Sequence, residues 1–167
     1  MTLDMLLGWG WMVPVAVLFP NVLWAVLPGA AWPASRTTAT QPWTRWVEFV
    51  ECVGRAAVFI LPVFYRFKLG TPASVVAVLA MLLALAFYYV GWIRYFTRGR
   101  EPELLYKRLL GVPLPLAVSP VVYFLAASVA LEPSPLAVAA VVFGAAHVAI
   151  GSSEYRRLVA EARAFAP

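Results

Sequence analysis

Charge is what this chain has least of. Asp, Glu, Lys and Arg make up 13% of its 167 residues, against ~25% in ordinary soluble domains. Cysteine occurs once, as Cys52, which excludes an internal disulfide framework and a Cys-rich zinc or iron–sulfur centre. Histidine also occurs once, as His147, so a haem held by two histidines is excluded. The chain has no G-x-S-x-G elbow, Walker-type phosphate loop or H-E-x-x-H pair. Neither Glu48 nor Glu51 is followed three residues later by His, so the repeated Glu-x-x-His pairs of two-metal carboxylate bundles are missing as well. These residues point to no particular cofactor, and no metal site is expected.

What fills the chain instead is apolar: 63% hydrophobic residues, with a mean hydropathy of +0.82. This composition excludes disordered, coiled-coil and secreted disulfide-rich classes and predicts an all-α integral membrane bundle forming one domain over 1–167. The formal charge of +5, carried mainly by arginine, bears on orientation in a membrane and gives no reason to expect nucleic acid as a partner.

Five spans are expected. Residues 5–27 carry no charge and include Pro14, Pro20 and Asn21; Asp4 and the lack of Lys or Arg before them argue against a signal peptide. Pro28 to Arg45 reads as a loop, with Trp32, Trp43 and Trp46 suited to the headgroup level. The second span, 46–65, holds Glu48, Glu51 and Arg55 in its first half and therefore needs partners to stay in a bilayer. The third, 73–93, is uncharged. Pro102 suits the start of a short helix whose Leu104, Leu105 and Tyr106 would lie on the lipid interface. The fourth span, 109–130, contains Pro113, Pro115 and Pro120. The fifth, 136–152, continues into a charged helical extension over 153–166.

Alternating these spans puts Arg36, Arg45, Arg94, Arg98, Arg100, Lys107, Arg108, Arg156, Arg157 and Arg163 on one side, and Arg66 and Lys68 on the other. The positive-inside rule then gives a multi-pass cell-membrane protein with its N-terminus outside and its C-terminus in the cytoplasm. Five spans in about this length resemble the architecture of the translocator protein family, which binds porphyrins and sterols. That family's Trp- and Pro-rich first loop and Trp-Asn pairs are absent, so the resemblance implies no site residue.

Polar groups within spans mark sites or structural pairs. Glu51 and Arg55, four apart with Glu nearer the N-terminus, can form an ion pair within one helix. His147 shares a stripe with Ala140, Gly144 and Gly151, small residues that let another helix approach closely. Tyr88, Trp92 and Tyr95 form a stripe that reads as an interfacial aromatic belt. Asn21, Glu48, Glu51, Arg55, Tyr88, Tyr89 and His147 all fall in the cytoplasmic half, with Arg94 at its mouth. The leading expectation is a cytoplasm-facing pocket, lined by these residues, that binds or transports a small organic or anionic solute. Arg55 would recognise the anion, Glu51 would position Arg55, and His147 and Glu48 would exchange protons. Membrane lipids are expected partners, with anionic headgroups near Arg94, Arg98 and Arg100. A transport path through so few spans calls for a homo-oligomer or a shared pocket. The alternatives are a membrane enzyme acting on a lipid or isoprenoid phosphate and a non-catalytic accessory or sensor subunit.

Overall fold

A computed structural model describes residues 10–27, 42–132 and 134–164. Residues 5–9 of the first expected span, most of the following loop including Trp32 and Arg36, Pro133 and the end of the expected tail lie outside them. The described residues form α1 (Met12–Val26), α2 (Pro42–Ile60), α3 (Pro72–Thr97), α4 (Pro115–Leu131) and α5 (Ser134–Ala164), with 3-10 turns at Leu61–Phe64 and Pro102–Leu105. No β-strand occurs among them.

The helix boundaries follow from local chemistry. Thr71 caps α3: its hydroxyl accepts from the Ser74 amide at 3.1 Å, and the Ser74 hydroxyl accepts from the Thr71 amide at 3.3 Å. Pro72, next in the chain, needs no donor there. Pro62 tightens the end of α2 into a 3-10 turn, closed by the Tyr65 amide donating to the Pro62 carbonyl at 3.0 Å. The fourth helix starts at Pro115 rather than Leu109. Leu109 and Val112 instead exchange both backbone hydrogen bonds across a tight turn, and Leu114, with φ of 50°, breaks the helical path just before Pro115. The fifth span and its extension form one continuous helix.

Glycines decide which helices touch. A Cβ on Gly54 of α2 would sit 2.9 Å from the Phe143 Cα of α5, and one on Gly91 of α3 would meet the Leu116 side chain of α4 at 2.8 Å. On α5, Gly144 faces Val121 and Gly151 faces Ala117, both on α4. The helices thus pack in the order α2, α5, α4, α3. Phe59, Phe124 and Phe143 link α2, α4 and α5 edge to face, with ring centroids 5.5 and 6.2 Å apart.

The helices alternate in direction. At one end the Gly10 amide donates to the Tyr65 carbonyl and the Lys68 amide to the Ala130 carbonyl, both at 2.9 Å. Lys68 also pairs with Glu132 there, at 2.8 Å. At the opposite end the Arg94 guanidinium donates to the carbonyls of Leu104, Lys107 and Arg108, at 2.6, 2.8 and 2.9 Å. Leu104 and Leu105 therefore pack back against the core instead of forming an outward interfacial face. The Tyr88–Trp92–Tyr95 stripe likewise turns inward: all three residues are buried, because their shared face of α3 is the one that packs into the bundle.

Candidate functional site

Glu51 sits on the buried face of α2 with 7% of its surface exposed. Its Oε1 accepts from the Arg55 guanidinium one turn later and lies 2.9 Å from His147 Nδ1 on α5. An ionised carboxylate can only accept, so Nδ1 is the donor in this contact. The pair at four-residue spacing comes from α2 alone. Its contact with His147 depends on the close approach that Gly54 permits.

Phe143, one turn before His147, stacks on the imidazole with centroids 4.8 Å apart and planes 21° from parallel. The ring holds the imidazole from one side while Glu51 holds Nδ1. Sequence reasoning passed over both Gly54 and Phe143. The available signals were a glycine three residues after Glu51 and an aromatic residue four before the lone histidine. The stripe of α5 divides in three dimensions: Gly144 and Gly151 serve the α4 contact, while His147 reaches Glu51 on α2.

Half of the Arg55 side chain remains exposed, and Glu48 and Cys52, on the same flank of α2, are exposed as well. Among the described helices, α2 and α3 do not pack along each other, and this polar flank stays exposed. Glu48 thus lies on the helix that carries the pair while remaining apart from the Glu51 contacts.

Asn21, Tyr88 and Tyr89 form a second group, between α1 and α3. Asn21 Nδ2 donates to the Tyr88 hydroxyl at 2.8 Å and to the Val17 carbonyl at 2.7 Å. The Tyr89 hydroxyl donates to the Ala16 carbonyl at 2.8 Å. Pro20, four residues after Ala16, has no N–H to offer that carbonyl, and Tyr89 supplies the missing donor. Arg94 belongs to a third group, the clamp on the segment after α3. Of the eight residues expected to line one pocket, Arg55 and His147 both contact Glu51; Asn21, Tyr88 and Tyr89 group between α1 and α3; and Arg94 holds the segment after α3.

No group of three or more His, Cys, Asp or Glu side chains arranged for a metal occurs among the described residues. No protein-family model, curated protein or solved structure matches this chain.

Proposed function

We propose that the chain is a five-span membrane bundle, N-terminus outside and C-terminus cytoplasmic, that binds and moves a small anionic or organic solute at Glu51, Arg55 and His147. The bilayer reading draws its support from the exposed surface. Two helices, Pro72–Thr97 and Pro135–Ala160, are long and apolar enough to cross a membrane, yet only 22% and 33% of their most apolar stretches are buried. The core helix of a soluble protein would be mostly covered. Leu83 on α3 is 73% exposed, and Val76, Leu79, Leu82, Val138 and Val141 are exposed with it. Exposed apolar residues on this many helical turns call for lipid or protein against them. α4, at 17 residues, is ~26 Å long and lies at the short limit of a crossing. Arg94, Arg98, Arg100, Lys107 and Arg108 follow the end of the bundle opposite Arg66 and Lys68, which favours that end as cytoplasmic.

The observation that carries the site is one nearly buried carboxylate shared by a half-exposed guanidinium and a histidine. Arg55 and Glu51 neutralise each other. An anion entering from the exposed flank competes with Glu51 for Arg55 and would leave the carboxylate with an uncompensated charge in a poorly solvated place. Protonation of Glu51 removes that penalty. When Nε2 of His147 takes a proton from water, Nδ1 is placed to pass its own to the Glu51 carboxylate, leaving a neutral imidazole. Solute binding is thereby coupled to proton uptake.

Native mass spectrometry of gently extracted protein tests the reading. The expected spectrum carries a stoichiometric non-lipid mass that is absent from a folded Arg55→Ala variant. Wild-type protein that retains only loosely held bulk lipid would refute a bound solute.

A further inference from the structure

The turn after α3 carries an unusual residue at its tip. Leu109 and Val112 are joined by two backbone hydrogen bonds of 3.1 and 2.9 Å, and the two residues between them, Leu110 and Gly111, both have positive φ, 50° and 86°. Tight turns of this kind favour Asn, Asp or Gly at the first central position, where a Cβ crowds the backbone. Leucine accepts that backbone here and gains no packing in return: Leu110 is 85% exposed, whereas Leu104 and Leu105 of the same segment pack onto the core.

Its level in the bundle is fixed from both sides. The Arg94 clamp holds the carbonyls of residues 104, 107 and 108 beside the last turns of α3, and α4 begins where Leu116 fills the space over Gly91. The chain from 98 to 114 therefore folds back alongside α3 rather than extending beyond it, and the turn lies near the level of residues 91–94. Counted from Pro72, ~20 residues cross the hydrocarbon and end at about that level. Arg98, directly after α3, and Arg108, two residues before Leu110, are exposed, while Lys107 is occupied by Glu103 at 2.8 Å.

We propose that Leu110 is a wedge that inserts into the cytoplasmic leaflet, with Arg98 and Arg108 binding the phosphates of anionic lipids around it. This rests on the bilayer reading above and is independent of the solute site. Insertion would supply the apolar surroundings the leucine lacks, and the arginines would find opposite charge at the depth where headgroups begin.

The test uses the full chain carrying Cys52→Ser, with Leu110→Cys or Glu101→Cys labelled by an environment-sensitive fluorophore. Each protein is reconstituted into phosphatidylcholine vesicles with or without phosphatidylglycerol. The expected result is blue-shifted emission at position 110, quenched by nitroxide-bearing lipid and further shifted by phosphatidylglycerol. Position 101 should keep an aqueous spectrum, and Arg98→Gln with Arg108→Gln should abolish the phosphatidylglycerol effect. An aqueous spectrum at position 110 in protein that resists carbonate extraction would overturn the wedge alone, as would equal quenching at both positions. Extraction of the protein by carbonate would overturn the bilayer reading beneath it.

Discussion

Pro20 takes a hydrogen-bond donor out of α1, and Tyr89 on α3 replaces it from outside the helix. Tyr89→Phe should leave the Ala16 carbonyl unsatisfied and lower stability by ~1–3 kcal/mol, read as a fall in melting temperature in detergent. Tyr89→Phe with the same melting temperature as wild type would show that the hydroxyl bears no part of the α1 contact. Gly54 is demanding for a different reason: any side chain there meets the Phe143 backbone. Gly54→Leu should cost ~1–3 kcal/mol or more by overpacking and should part Glu51 from His147, whereas Gly70→Ala, with no heavy atom within 4 Å of the added carbon, is the matched control. Within the site, Glu51→Ala and His147→Ala should be non-additive, because both remove the same hydrogen bond. A coupling of ~0.5–3 kcal/mol in a double-mutant cycle is expected, and strict additivity would dissolve the proposed unit.

At the scale of elements, the Thr71–Ser74 capping box starts α3 and the Arg94 clamp finishes it. Thr71→Ala should cost ~0.5–2 kcal/mol. Arg94→Gln should free the segment that follows, seen as faster proteolysis between residues 98 and 114 at unchanged helix content. The same segment holds an exposed titrating pair. The hydrogen bond from Lys107 to Glu103 holds the ammonium above the usual lysine range. Because the folded pKa is raised, the pair's contribution is complete below the ordinary lysine pKa and is lost as pH rises through the folded value. Both partners are largely solvated, so the effect stays below ~1 kcal/mol. Lys107→Met should flatten the alkaline limb of a stability–pH curve while leaving neutral pH almost unchanged.

For the molecule as a whole, alternation of helix direction makes a prediction about sidedness. In intact cells, with Cys52→Ser as background, Lys68→Cys should react with an impermeant maleimide from outside, and Arg98→Cys should react only after permeabilisation. The reverse pattern would invert the proposed orientation, and labelling of both positions in intact cells would break the alternation itself. The arrangement turns Glu51 of α2 inward, where Arg55 of the same helix and His147 of α5 meet it.

By itself, the sequence determined the all-helical class, the start of α3, the end of α4 and the Glu51–Arg55 pair, because these depend on composition, on proline and capping residues, and on contacts within one helical turn. Its reading of Leu109 as the start of a helix failed where a hairpin-like turn competed locally with the apolar pattern. Which faces meet was decided only in three dimensions. The stripe on α5 looks like one surface along the chain, yet its two edges serve different neighbours, and Tyr88, Trp92 and Tyr95 turn inward. Periodicity gives the angle of a residue around its own helix and leaves the rotation of that helix against its neighbours free. That rotation is set by where glycines allow backbones to approach, and it is what brings His147 to Glu51 while sending Asn21 to Tyr88.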